Sequence, residues 1–204
     1  MMKMRRLALV ALFGSTSWAA QAADKVLYQP VPAWVKPAPG VDPASVTPDS
    51  PVLMVLDNQQ RLEGGTVWQY TDTATRIATA EMLGQAGTVS LQWQPAAGDL
   101  IVHRAEIIRG PERIDLLKAN AAGAKAGFDV LRREQKLEQR QLDGMLTATM
   151  AVEGLRVGDI LLVVVWFSCL VGVLLGAMVG FQPVPSAALK FGYARGRVLW
   201  PATD

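Results

Sequence analysis

The fold class this sequence predicts is a mainly β domain, antiparallel and sandwich-like, lying in the periplasm and joined to one transmembrane α-helix. Three observations predict it. Residues 1–22 read as a signal peptide, 160–181 are free of charge and strongly apolar, and the stretch between them carries short alternating segments separated by turn-forming residues.

Taken in order, residues 1–6 (MMKMRR) give a basic start and 7–13 (LALVALF) an apolar core. Ala20, Gln21 and Ala22 then form a small-x-small cleavage pattern, so cleavage is expected between Ala22 and Ala23. The apolar core is too short to span a bilayer and is broken by Gly14, Ser15, Thr16 and Ser17. No cysteine follows the cleavage site closely, so a lipid-modified N-terminal cysteine is not expected.

Seven of the twelve prolines fall within 28–51, at Pro30, Pro32, Pro37, Pro39, Pro43, Pro48 and Pro51. Fixed φ and missing N–H groups favour an extended polyproline-II arm over 23–51. A spacer or an edge wrapping is the expected role, with a docking peptide for an aromatic groove as the functional alternative.

The β-rich domain is expected over 52–159. Residues 52–57 (VLMVLD) read as a short buried strand closed by the turn-prone 57–61 (DNQQR), and 66–70 alternate weakly. Residues 72–85 are alanine-rich, with Ile77, Met82 and Leu83 near helical spacing, and fit a helix or an irregular strand. Val89, Leu91 and Trp93 alternate on one face before the turn at 95–98 (PAAG), after which Leu100, Val102, Ile107 and Ile108 return; this reads as a hairpin. A further turn is expected at 109–113 (RGPER). Residues 128–145 are rich in helix formers yet trace no clean 3.6-residue stripe, and their mixed charges read as a solvated face. Leu146, Ala148, Met150 and Val152 alternate inward as a last strand.

The run at 160–181 contains only Ser168 and Cys169 as weakly polar side chains. As a helix its 22 residues would be about 33 Å long, enough to cross a hydrocarbon core of roughly 30 Å. The competing reading is a pair of buried strands, because 161–167 (LLVVVWF) are β-branched and aromatic. If helical, Gly172, Gly176 and Gly180 line one face and suit a helix-mediated homodimer within the lipid bilayer. Lys190, Arg195 and Arg197 follow the run while Arg140 and Arg156 precede it, which predicts a single-pass inner-membrane protein with its N-terminal domain in the periplasm and a short tail, 182–204, in the cytoplasm.

Composition excludes several classes. A net charge of +2 from 20 basic and 18 acidic residues, with no basic run interleaved with aromatics, argues against nucleic acid as a partner. The single cysteine, Cys169, cannot close an intramolecular disulfide. Cys169 and the single histidine, His103, are the one candidate thiol–imidazole pair; Cys169 lies where thiolate is disfavoured and His103 is far away in sequence, so no catalytic residue is expected. One histidine without a clustered donor set predicts no metal site, and no phosphate-binding glycine spacing occurs, so no cofactor is expected.

Residues 91–110 (LQWQPAAGDLIVHRAEIIRG), 112–117 (ERIDLL), 128–134 (FDVLRRE), 142–148 (LDGMLTA) and 152–161 (VEGLRVGDIL) together carry a resemblance. Over about 52–161 the chain resembles the bacterial domain of unknown function that precedes transglutaminase-like domains in exported proteins. The resemblance implies a β-rich module ahead of a papain-like fold with a Cys, His and Asp triad, a fold with no counterpart in these residues. Residues 182–201 (QPVPSAALKFGYARGRVLWP) are family-like again, so family-like sequence flanks the unlike apolar run. The expected function is a non-catalytic, exported, membrane-anchored interaction or accessory domain of transglutaminase-associated type, with a periplasmic protein as partner. The alternative is the truncated or frame-disturbed N-terminal part of a transglutaminase-like enzyme.

Overall fold

The computed structural model describes residues 24–63, 66–118, 127–132, 144–169 and 190–200. Among these run ten strands: β1 (Leu27–Tyr28), β2 (Leu53–Glu63), β3 (Thr66–Arg76), β4 (Thr88–Trp93), β5 (Leu100–Arg109), β6 (Glu112–Asp115), β7 (Asp129–Arg132), β8 (Leu146–Ala151), β9 (Ile160–Cys169) and β10 (Phe191–Leu199). A 3-10 turn at Pro43–Ser45 and one short helix, α1 (Ala80–Ala86), complete the described elements. The larger sheet runs β1-β5-β9-β3-β2-β10, with β6 also on β5; the smaller runs β4-β8-β7. The mainly β, sandwich-like expectation holds. The sheets are mixed and not purely antiparallel, because β1 joins β5 and β10 joins β2 in parallel.

The main correction falls on the apolar run. Residues 160–169 form β9, an interior strand hydrogen-bonded to β3 on one side and β5 on the other, and no described helix is long and apolar enough to cross a membrane. Of the two readings of this run, the buried strand is the correct one for its first ten residues. The physical reason is burial on both faces. Ile160, Leu162 and Val164 pack into one core, while Leu161 and Val165 pack into two others behind the sheet, so neither face leaves room for a polar side chain over 160–165. Residues 170–189 lie outside the described residues, and with them Gly172, Gly176 and Gly180. The expected topology also falls. The supposed cytoplasmic tail contains β10, whose register with β2 runs from Phe191↔Leu53 to Leu199↔Arg61, so both flanks of the apolar run belong to one sheet.

Local readings fare unevenly. β2 does not stop at Asp57 but continues to Glu63, because Asp57, Asn58, Gln59 and Gln60 are buried with polar partners available to most of them. Residues 72–85 divide between both proposed states. β3 ends at Arg76, and Thr79 then caps α1 by accepting the Met82 N–H at 3.2 Å. β4 and β5 are not a hairpin: β4 pairs with β8 in one sheet and β5 with β9 in the other. Their apolar faces meet across the sandwich, where Trp93, Leu100, Val102, Leu146, Ala148 and Val165 share a core. The turn at 109–113 does join a hairpin, β5 to β6, with Gly110 at φ 51°. Leu146, Ala148, Met150 and Val152 are all buried, as the alternation predicts.

The smaller sheet and α1 cover only one face of the larger sheet. The opposite face is covered by the proline-rich arm, which packs Trp34, Val35, Ala38, Val41 and Val46 against Val55, Tyr70, Ala74, Ile108, Leu162 and Val164. The arm is a wrapping layer, and its underside is where the polar side chains converge.

Candidate functional site on the arm-side face

Alternation along β2 and β3 turns Val55, Tyr70 and Ala74 toward the arm, and the same alternation brings Asp57 and Asp72 there. Asp57 is fully buried and accepts two hydrogen bonds from Arg195 of β10, Nε to Oδ1 at 2.8 Å and Nη2 to Oδ2 at 2.6 Å. Gln59 Nε2 donates to the same Oδ2 at 2.8 Å and to the Lys36 carbonyl at 2.7 Å, while Gln59 Oε1 accepts from the Lys36 N–H at 3.0 Å. Arg195 Nη2 also donates to the Lys36 carbonyl. Arg197 Nη1 donates to the Trp34 carbonyl at 2.8 Å and to Gln59 Oε1 at 3.0 Å. The arm therefore docks by backbone hydrogen bonds to β2 and β10 side chains. The fork-on-fork contact to Asp57, the first of the causes, raises the Arg195 pKa.

Asp72 lies directly across from Asp57 in the β2–β3 register but is far less well served. Its ion-pair contact is Arg104 Nη2 at 3.9 Å, and its Oδ1 is buried without a hydrogen-bond partner. Burial pushes its pKa up to about 6; the Arg104 guanidinium and a hydrogen bond from the Tyr70 hydroxyl to its carboxylate oppose that rise, and the Asp57 carboxylate adds to it. Asp72 and Arg104 line a cleft of about 210 Å³ together with Val55, Leu162, Glu106 and Arg113, under the arm residues Ala38, Pro39, Gly40 and Val41. Glu106 is paired with Arg113 at 3.2 Å.

His103 occupies a β-bulge: β5 pairs Val102 with Val165 and Arg104 with Val164, leaving His103 as the extra residue. Its ring lies 5.9 Å from both Tyr70 and Trp166, and Trp166 is 4.7 Å from Trp68, centroid to centroid. Nδ1 meets the Gln29 carbonyl at 2.7 Å. A carbonyl oxygen only accepts, so Nδ1 carries the proton and Nε2 is the acceptor, buried without a partner. Burial lowers the His103 pKa, against the Gln29 hydrogen bond, and favours the neutral ring.

As for the residues singled out from sequence, Ala22 and Ala23 lie outside the described residues, as do the three glycines. Cys169 ends β9 opposite Val67, four residues beyond the Val165 that flanks the bulge, or roughly 13 Å along the strand. The topology does not bring it to His103. No group of three or more metal-binding side chains occurs among the described residues. Sequence reasoning missed Asp57, Asp72, Arg104 and Arg195. An aspartate directly following the apolar run 52–56 is the one local signal that could have marked the first.

This arrangement defines a β-sandwich with an arm pinned over a buried ionic seam. The chain belongs to the family described as Domain of Unknown Function with solved-structure structure (DUF3857), whose model matches residues 64–202. No curated protein matches it. A crystal structure of a candidate protease from Parabacteroides distasonis ATCC 8503 is similar at 11% identity and a TM-score of 0.43, covering 57% of this chain. This chain covers only 22% of that one.

Proposed function

We propose that this chain is an exported, non-catalytic interaction or accessory domain, of the type carried ahead of transglutaminase-like domains, working in the periplasm beside a protein partner. The observation that carries the reading is how His103 is used. Its protonated nitrogen is held by the Gln29 carbonyl and its free nitrogen is enclosed beside aromatic rings, with no nucleophile among the described residues hydrogen-bonded to it. The carboxylates support the same reading, since Asp57 and Asp159 are both tied to arginine forks. Export rests on the basic, apolar and small-x-small pattern ending at Ala22.

The test is an assay of the purified chain for casein hydrolysis and for transfer of a fluorescent amine onto casein, alongside His103→Ala. Rates for both proteins at the blank level support the accessory role. Turnover that depends on His103 overturns it. Intact mass of the protein recovered from the periplasm tests export separately, with a mature start at Ala23 expected and an intact Met1 contradicting it.

A further inference from the structure

We infer that the cleft between the arm and the large sheet is a binding site for a primary alkylammonium group, with Asp72 as its anchor. The site does not depend on whether the domain serves a catalytic partner. Four observations lead to it. The Asp72 side chain is only 7% exposed, lines the cleft, and has an Oδ1 with no hydrogen-bond partner. A buried acceptor left in that state costs free energy that a donor in the cleft would recover. The other charges nearby are already committed, Asp57 to Arg195 and Glu106 to Arg113. Arg104 reaches Asp72 only at 3.9 Å, beyond hydrogen-bond length, and its side chain is 45% exposed, so water already satisfies its donors.

The unsatisfied group is therefore an acceptor, which selects a cation with N–H donors over an anion. The rest of the lining fits the remainder of such a ligand. Val41, Val55 and Leu162 offer apolar surface to an alkyl chain. The volume of about 210 Å³ exceeds that of one water several times over, room enough for a chain of a few carbons. The upward shift of the Asp72 pKa agrees, since a desolvated carboxylate gains most from a second positive partner. Free alkylamines and lysine side chains share this chemistry.

The experiment is an amide NMR titration of the full chain with n-butylammonium, with Nα-acetyl-lysine amide, with tetramethylammonium and with acetate. Saturable shifts at Val55, Asp72 and Leu162 are expected with n-butylammonium, and none with tetramethylammonium, which has no N–H. Matching shifts with Nα-acetyl-lysine amide identify a lysine side chain as the ligand; their absence identifies a free amine. Asp72→Asn should weaken binding about tenfold or more, as expected for loss of a charged hydrogen bond. Arg104→Gln, at a half-exposed position, should leave binding intact or tighten it. Saturation by acetate that Arg104→Gln abolishes overturns the inference, as does unchanged amine binding in Asp72→Asn or no saturable shift in the wild-type chain.

Discussion

Asp57 and Asp72 stand opposite each other on adjacent strands, two buried carboxylates in one register pair, yet only Asp57 holds an arginine fork. Like charges at directly opposed positions repel, and the sheet accepts them by giving Arg195 to one and leaving the other partly uncompensated. β10 is thereby more than an edge strand. It supplies the cation that makes the carboxylate of β2 tolerable and the donors that hold the arm.

Removing Arg195 leaves the Asp57 carboxylate buried and unpaired. Arg195→Ala should destabilise the domain by about 3–5 kcal/mol, read as a lower midpoint in urea unfolding at unchanged slope. Arg195→Lys should recover only part of that, because an ammonium cannot reproduce the two-pronged contact. Full recovery by lysine would show that charge alone matters.

Asp72 predicts an unusual pH dependence. Its folded pKa of about 6 lies above its ordinary value of 3.8, so the folded state binds more protons than the unfolded state between those values. Stability from this group is therefore greatest below pH 4 and falls as pH rises through about 6. Asp72→Asn, which has no charge to desolvate, should gain on the wild-type chain across that window, by about 1–3 kcal/mol at pH 7.5. A difference that does not change between pH 4 and 7.5 would refute the assignment.

His103 acts in the opposite sense. A depressed imidazole pKa stabilises the fold above pH 6.5, and that contribution is lost as pH falls through the folded value. Its ring protons should titrate below pH 6.5 by NMR, with Nδ1 protonated in the neutral form. A midpoint at or above 6.5 would mean that the ring is not enclosed.

The parallel join of β10 to β2 depends on a close backbone approach. A Cβ built on Gly192 would lie 2.5 Å from the Met54 carbonyl oxygen, where β2 breaks register between Leu53 and Val55. Gly192→Ala should cost about 1–3 kcal/mol, since backbone and not a side-chain tip must move. An unchanged melting temperature would place β10 elsewhere.

How legible all this was from sequence depended on distance along the chain. Strand alternation marked the inward face of β4, whose other side is exposed, and Leu146, Ala148 and Met150 of β8, but not the equally buried Thr147 between them. β9 misled because an interior strand buried on both faces is as free of charge as a membrane helix, and length alone favoured the helix. β4 and β5 looked like a hairpin because alternation shows which side chains turn inward but not which strand pairs with which. The ionic seam was invisible, since Asp57 and Arg195 are 138 residues apart and the arginine read as a topology signal.

Ile160–Cys169 is an interior strand of one domain, paired on both sides. The most direct test is NMR on the isotopically labelled chain, combining amide exchange with cross-strand contacts. Amides 161–167 should exchange only at the rate of global unfolding, with contacts from Trp166 to Tyr70 on one side and Ile101 on the other. Sequential helical contacts between residues three and four apart through 160–169, with no contacts to β3 or β5, would contradict it.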